Sequence, residues 1–361
     1  MFAKDIYIST GSMQAGGTER VISILSNQLV SKGFRIKIFI WRSVPIFYKI
    51  DSSIEIIDIP QRCGSASLIK GMLYFRKYLK SFPPHFLLGF SAPFNIISLI
   101  SSLRLNIKTV VCERNDPRFV PFHRYQRVIR NWVYHWADGI LTQTQHNKDY
   151  FSTRLRSKTQ VIYNPIFMDE KYIGSAKSGN HNYRIISVAR LKKQKNQRLL
   201  INAFSRFCKL YPKYSLYIYG EGDQQEQLEK LVKEKGLEGK VFFPGVSDRI
   251  FEILSTCEIF VLPSNFEGMP NTLIEAMCIG LPCISTKVSG ATDLIKDGEN
   301  GLLIDIDNEE QLFHAMVKLA ANPEVRLQIG INATKLYNYL NVNTISEEWY
   351  KCIIGYIECR V

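Results

Sequence analysis

What most constrains this chain is an alternation played twice. Short apolar runs, each closed by a glycine-bearing or polar turn, alternate with segments of helical periodicity. Residues 4–10 (KDIYIST) read as a strand, residues 11–17 as a turn and residues 18–31 as an amphipathic helix ended by Gly33. Residues 35–41 read as the next strand, which makes a βαβ unit. Further strands are expected at 54–59, 86–90, 107–112, 139–142 and 160–163. A polar stretch follows, and the pattern restarts with strands at 183–188, 215–219, 241–243, 258–263, 282–286 and 301–304. Helices run from about residue 309 onward, with Asn308 as a cap for the first. Alternation of this kind specifies parallel sheets covered by helices. The expected fold class is therefore α/β, with two doubly wound Rossmann-like domains facing a central cleft.

A length of 361 residues fits two domains, and 46% hydrophobic residues suffice for two cores. The expected boundaries are 1–163 for the first domain, 164–182 for a linker with its flexible part at 174–182, and 183–340 for the second domain. A C-terminal helix at 341–361 is placed to pack back on the first domain. No apolar run reaches the ~18 residues that span a bilayer, and residues 1–11 enter a strand with no signal-peptide pattern. The eight cysteines form no Cys-x-x-Cys pair and read as core thiols of a reducing cytosol. The six histidines show no metal-ligand spacing, so neither a metal nor another cofactor is expected.

Charge is unevenly spread. Residues 1–163 hold 23 of the 46 Lys and Arg but only 9 of the 33 Asp and Glu. A basic half implies an anionic partner, whether a membrane surface, a nucleic acid or a phosphorylated acceptor, unless it is only a solubility surface. Two stretches there, 65–82 and 118–136, mix Lys and Arg with aliphatic and aromatic residues, as interfacial helices do. The same composition also suits surface helices of a core or a nucleic-acid patch.

The richest chemistry lies at 264–279, SNFEGMPNTLIEAMCI. Asn271 is expected to cap a helix starting at Thr272, with Glu267 on the preceding loop and Glu275 inside the helix. A helix start attracts phosphate, and flanking carboxylates accept hydrogen bonds from sugar hydroxyls. The pattern suits a nucleotide sugar, although acidic residues near helix starts also simply complement the helix dipole. Arg190 and Lys195 on the loop after the 183–188 strand can reach one diphosphate. Gly220-Glu221-Gly222 closes the 215–219 strand, where small residues permit close approach, and Val246 follows a turn that offers backbone groups to a base. Gly16 and Gly17 either admit a ligand or meet a tight turn's demand for glycine. Glu113, Arg114 and Asn115 leave a buried strand and are site candidates, or Glu113 and Arg114 form a structural ion pair.

Taken together, Gly16-Gly17-Thr18-Glu19-Arg20-Val21, Val188-Ala189-Arg190-Leu191 with Lys195-Asn196, Gly220-Glu221-Gly222 and Glu267-Gly268-Met269-Pro270-Asn271 through Glu275-Ala276 resemble the retaining glycosyltransferases of the GT-B fold, group 1 or family 4. The stretch around Glu113 resembles the bacterial members that extend lipid-linked oligosaccharides. The resemblance implies transfer of a hexose or N-acetylhexosamine from a UDP-sugar to a polyprenyl-diphosphate-linked acceptor in surface-polysaccharide synthesis such as O-antigen or capsule, without a metal and with no nucleic-acid partner. It implies a peripheral enzyme on the cytoplasmic face of the inner membrane, held there by a basic first domain. Arg190 and Lys195 would neutralise the leaving diphosphate, Glu275 would hold the ribose and Glu267 the donor sugar. Gly268, Met269, Asn271 and Thr272 would face sugar and phosphate, and Gly16, Gly17, Gly220 and Val246 would complete the donor site. Many members carry a histidine near the position of Glu113; here that carboxylate or its neighbour Arg114 stands instead, and Glu113 would be catalytic on the acceptor side with Arg114 and Asn115. A nucleotide-sugar epimerase or a soluble-acceptor transferase of the same fold is the alternative, and a nucleic-acid binder a distant third.

Overall fold

The computed structural model describes residues 4–177 and 182–358. The chain divides into two compact units, Met1–Pro165 with Val342–Val361, and Ile166–Asn341. Of the stretch read as a linker, residues 178–181 lie outside the described residues. Residues 166–177 belong to the second unit, where the Gly174 N–H donates to the Cys278 carbonyl at 3.0 Å.

The first unit is built on seven parallel strands: β1 (Asp5–Thr10), β2 (Arg35–Ile40), β3 (Glu55–Asp58), β4 (Phe86–Phe90), β5 (Lys108–Cys112), β6 (Gly139–Thr142) and β7 (Thr159–Val161). Their order is β3-β2-β1-β4-β5-β6-β7. The central strands are covered on both faces, which is why β4 reads as an unbroken apolar run and is buried throughout. Chain direction across the sheet reverses between β1 and β4. Right-handed crossovers therefore put the helix Gly17–Ser31 on one face and the helices Ala92–Ser102 and Arg124–Val133 on the other. The helix Leu68–Ser81 lies beside Ala92–Ser102, and its Phe75 and Leu79 join Tyr7, Phe39 and Leu87 in one core. The C-terminal helix Val342–Glu358 packs on Gly17–Ser31. Its Trp349, 1% exposed, stacks on Phe90 at 6.1 Å between ring centroids.

Two basic stretches differ from their expected extents. The first is helical over Leu68–Ser81. The second is helical only over Arg124–Val133, followed by a 3-10 turn at Tyr134–Trp136. Pro117 and Pro121 keep the preceding residues out of a helix.

The second unit holds β8 (Arg184–Val188), β9 (Ser215–Tyr219), β10 (Val241–Gly245), β11 (Ile259–Leu262), β12 (Cys283–Thr286) and β13 (Leu302–Ile304). All are parallel, in the order β10-β9-β8-β11-β12-β13, with the reversal between β8 and β11. Phe204, Phe207, Leu216 and Ile218 anchor its core. Pro244 and Gly245 extend β10 past an irregularity in its pairing instead of forming the expected turn. An edge strand tolerates proline because no neighbour needs its missing N–H. Asn308 caps the helix Glu309–Ala321 by accepting from the Gln311 N–H at 2.9 Å.

Replacing Trp349 by Ala removes a fully buried indole and should cost about 3–5 kcal/mol, whereas Trp349→Phe retains most of that packing. Denaturant midpoints of the two variants check this; equal midpoints would show that the C-terminal helix does not support the first unit.

Candidate functional site

In an open α/β sheet, ligands bind beyond the strand C-termini where the strand order reverses. In the second unit that place is bounded by the loops after β8 and β11. Every second-unit residue singled out in the sequence lies on these loops, on the helix that follows β11, or after the flanking strands β9 and β10.

The two loops are fastened together. Lys195 Nζ donates to Glu267 Oε1 at 2.5 Å, and Ser264 Oγ donates to the same oxygen at 2.6 Å. Gln194 Nε2 donates to the Phe266 carbonyl at 2.8 Å, and the Asn265 N–H returns to the Gln194 carbonyl at 2.8 Å. Asn196, at φ 49°, turns the chain into the helix Gln197–Leu210 and donates to Asn265 Oδ1 at 3.1 Å. Glu267 is thus buried with its carboxylate held by two donors. Both bonds converge on one oxygen, so the ion pair has one fixed geometry. The Arg190 guanidinium, by contrast, is exposed.

Behind Arg190 stands the Gly220-Glu221-Gly222 turn. A Cβ at Gly220 would meet the Ala189 carbonyl oxygen at 2.1 Å, and one at Gly222 the Leu191 carbonyl oxygen at 2.2 Å. What these glycines admit is the backbone of residues 189–191. The Leu191 N–H donates to the Glu221 carbonyl at 2.9 Å, which locks the two turns together. Val246 lies just beyond β10 and is largely exposed.

The helix after β11 spans Asn271–Ile279, one residue earlier than expected. Asn271 therefore does not cap it. Pro270 occupies the cap position, no side chain caps the helix, and the Leu273 and Ile274 N–H groups turn to the Pro270 carbonyl. Gly268, Met269 and Glu275 are buried, and Asn271 and Thr272 are half-buried. The loop is wedged from behind. A Cβ at Gly290 would lie 2.5 Å from the Gly268 carbonyl oxygen and 2.7 Å from Met269 Cα.

In the first unit, Gly16 and Gly17 open the helix Gly17–Ser31 after β1, at that sheet's own reversal. Gly16 has an extended backbone, φ −178°, so its conformation does not demand glycine. Its surroundings are tight instead. The Tyr48 hydroxyl donates to the Gly16 carbonyl at 3.0 Å, and a Cβ there would crowd the Glu19 carboxylate at 2.2 Å.

Glu113 and Arg114 are both buried at the end of β5 but do not pair with each other. Successive strand residues face opposite sides of the sheet. Glu113 accepts a hydrogen bond from the Tyr134 hydroxyl and lies 4.0 Å from Arg130 Nη1. Asn95 Nδ2 donates to the Tyr134 oxygen at 2.7 Å and to the Cys112 carbonyl at 2.9 Å. Burial pushes the Glu113 carboxyl above its ordinary range, against the opposing pull of Arg130. Arg114 donates to Asn164 Oδ1 at 2.5 Å and lies over the Phe90 ring. Burial pulls its guanidinium down to about 10. Asn115 is half-buried, and its carbonyl accepts from Asn147 Nδ2 at 3.4 Å.

Sequence reasoning does not single out Ser264, Gln194, Gly290 or Tyr48. Ser264 stands three residues before Glu267 on the same loop, within reach of a local side-chain bond, and Gly290 stands in a small-residue turn. Only tertiary structure brings Gln194 to Phe266 or Tyr48 to Gly16.

Two doubly wound parallel-sheet units are the architecture of the GT-B glycosyltransferases. The sequence matches the family model for Glycosyl transferases group 1 over residues 169–336 and that for Glycosyltransferase Family 4 over residues 15–170. The chain belongs to this glycosyltransferase family and is a glycosyltransferase. It is 26% identical over 351 residues, covering 95% of this chain and 96% of the relative, to the GalNAc-alpha-(1->4)-GalNAc-alpha-(1->3)-diNAcBac-PP-undecaprenol alpha-1,4-N-acetyl-D-galactosaminyltransferase of Campylobacter jejuni. It is 24% identical, covering 90% of each chain, to the UDP-Gal:alpha-D-GlcNAc-diphosphoundecaprenol alpha-1,3-galactosyltransferase of Escherichia coli. The fold matches that of Anabaena HepE, crystallised with UDP, at a TM-score of 0.79 and 17% identity over 98% of this chain and 100% of that one.

Two tests follow. Gly290→Ala should push the 267–270 loop outward and lower donor turnover by about a hundredfold, the cost of a misplacement near 1 Å, while circular dichroism stays that of the parent. Unchanged turnover would show that the loop position is not critical. The second test concerns Glu113. A carboxyl raised in the folded state binds its proton more tightly there than in the unfolded chain. Its contribution to stability is full at acid pH and is lost as pH climbs above the ordinary value of 4.5. Glu113→Gln should flatten that part of the profile of melting temperature against pH, and a profile identical to the parent's would refute the raised value.

Proposed function

We propose that the protein transfers a hexose or N-acetylhexosamine from a UDP-sugar to a polyprenyl-diphosphate-linked glycan, with retention at the anomeric carbon and without a metal. The observation that carries the reading is the Lys195–Glu267–Ser264 cluster beside the start of the helix bearing Glu275. Such a site supplies a fixed cation and a helix terminus for a departing diphosphate, and carboxylates for hydroxyls. The name of the Escherichia coli relative and the UDP complex of HepE support uracil as the base. The undecaprenol-linked acceptors named for both relatives support the lipid-linked acceptor.

In this reading the bond from the anomeric carbon to the β-phosphate oxygen breaks as the acceptor oxygen bonds the same face of that carbon. The acceptor proton passes to the leaving phosphate, and UDP departs. Arg190 and Lys195 hold the growing negative charge. Glu267 accepts from donor-sugar hydroxyls, and Glu275 from the ribose. The amides of Gly268, Met269, Asn271 and Thr272 face sugar and phosphate, Gly220 keeps the Arg190 loop in place, and Val246 borders the base. On the first unit, Gly16 and Gly17 are assigned to ligand contact, and the segment of Glu113, Arg114 and Asn115 to the acceptor. Glu113 acts there by holding Tyr134 and Arg130. The product enters surface-polysaccharide synthesis of the O-antigen or capsule kind. The enzyme works as a peripheral protein on the cytoplasmic face of the membrane that displays its acceptor. Among the described residues no helix is long and apolar enough to cross a membrane.

A screen of nucleotide sugars by thermal stabilisation should single out UDP-sugars over GDP-sugars, since a ligand that binds the folded state raises its melting point. Lys195→Ala and Glu267→Ala should each lower turnover by about 10²–10³-fold while leaving a cooperative melt, by analogy with loss of one fixed transition-state contact. Near-normal turnover in either variant would refute the role assigned to the cluster.

A further inference from the structure

The two helical layers of the first unit differ sharply. The helices Leu68–Ser81, Ala92–Ser102 and Arg124–Val133 lie side by side on one face of the sheet. Together they contain seven Lys and Arg and no Asp or Glu. They also expose large apolar side chains. On Arg124–Val133 and the turn after it, Tyr125, Val128, Ile129, Trp132 and Trp136 stand out at helical spacing, with Trp132 63% exposed. On the helix Leu68–Ser81, Ile69 is 72% exposed, and Leu73 stands beside it one turn on. On the opposite face, the helices Gly17–Ser31 and Val342–Glu358 carry acidic residues and, among the described residues, expose no large apolar side chain.

The apolar surface is held in place. Arg76 Nη1 donates to the Ser101 and Leu103 carbonyls, both at 2.9 Å, and pins the first two helices together. Arg127 Nη1 donates to the Pro121 and Phe122 carbonyls at 2.9 and 2.8 Å, which fixes the exposed Phe122 ahead of the stripe. Where the stripe ends, Trp136 lines a small cavity with Leu103, Arg104, Lys108 and Asp138. Lys70, Lys77, Lys80, Arg104 and Arg124 remain exposed around these apolar groups.

We infer that this three-helix layer is the surface by which the enzyme seats on an anionic lipid bilayer, with Trp132 and Trp136 entering the headgroup boundary and Arg104, Arg124 and the helix lysines meeting lipid phosphates. The inference rests on the proposed lipid-linked acceptor and names the surface that would bring the enzyme to it. Charge decides the occupant. Two copies of the layer would oppose cation to cation, so self-association is disfavoured, whereas an anionic interface complements it. The aliphatic residues between the cations suit acyl chains, whereas a nucleic-acid groove would place cations along a phosphate backbone.

The full-length protein is tested with vesicles of phosphatidylcholine alone and of phosphatidylcholine mixed with phosphatidylglycerol. Of the four tryptophans, Trp41 and Trp349 are buried, so a blue shift of emission reports Trp132 and Trp136. Expected are preferential binding to the anionic vesicles, a blue shift on binding, and a loss of at least about tenfold in partitioning for the double variant Ile129→Glu/Trp132→Glu. Arg104→Gln should weaken binding by about fivefold, the share of one interfacial cation. Leu327→Glu, an equally exposed apolar position on the second unit, should bind as the parent. Melting temperatures confirm that each variant is folded.

Parent-like vesicle binding by the folded double variant would overturn the inference. So would binding to a nucleic-acid duplex with none to vesicles, or a dimer in sedimentation that the double variant dissociates. The UDP-induced rise in melting temperature should survive in the double variant. If UDP gives no rise in the parent while the vesicle results stand, the donor assignment fails and the docking surface does not.

Discussion

The ion pair between Lys195 and Glu267 is the constraint on which the geometry of the second unit's candidate site depends. It joins the loop after β8 to the loop after β11, the two segments that flank the reversal of strand order. Both side chains are largely withdrawn from water, so the pair is screened little and holds a definite geometry. Removing one partner would leave the other charge buried without compensation, a larger loss than the net worth of the pair. The Ser264 hydroxyl adds a second donor to the same carboxylate oxygen. Such a carboxylate is oriented before any ligand arrives, which is the condition for electrostatic preorganisation.

Around that pair the backbone is positioned by the absence of side chains. Gly220 and Gly222 let the turn after β9 press against residues 189–191, and Gly290 lets the turn after β12 press against Gly268 and Met269. The loops after β8 and β11 are therefore backed by neighbouring main chain on both sides of the reversal. A methyl group at any of these positions acts through displacement and leaves every polar group intact. The same logic separates Gly16 from these three. Its backbone is extended and its nearest obstacle is the movable end of Glu19, so its neighbourhood, set by Tyr48 and Glu19, matters more than its dihedral angles.

Much of this was legible in the sequence because parallel α/β sheets write their topology as alternation. The apolar run at residues 86–90 and the helix expected at 18–31, which forms over Gly17–Ser31, appear within a residue of their expected positions, since both faces of a buried strand and one face of a helix must be apolar. Local competition was less legible. Pro270 takes the cap position expected for Asn271, Pro244 stays within an edge strand, and Pro117 and Pro121 shorten the basic helix expected from residue 118. Partner choice across long sequence separations was not legible at all. Glu113 and Arg114 are adjacent in sequence and of opposite charge, yet one turns to Tyr134 and Arg130 and the other to Asn164. The alternation that reveals a strand also sends consecutive side chains to opposite faces.

The division of charge between the units matches the two kinds of electrostatic work proposed for them. Counting all residues, Ile166–Asn341 holds 21 Lys and Arg against 21 Asp and Glu, so the whole net charge of +13 lies in the other unit. The unit with the diphosphate candidates is thus neutral overall. Its cations act at contact distance, where one lysine with a fixed partner outweighs any diffuse excess, and its neutrality spares the folded unit self-repulsion. The docking surface inferred for the first unit has the opposite requirement. A surface field recruits an anionic interface over roughly a Debye length, about 8–10 Å at physiological salt. That field requires many cations of one sign and no acids among them, and the helices Leu68–Ser81, Ala92–Ser102 and Arg124–Val133 have that composition. Short-range chemistry and long-range attraction make different demands on net charge, and in the proposed reading each falls to a separate unit.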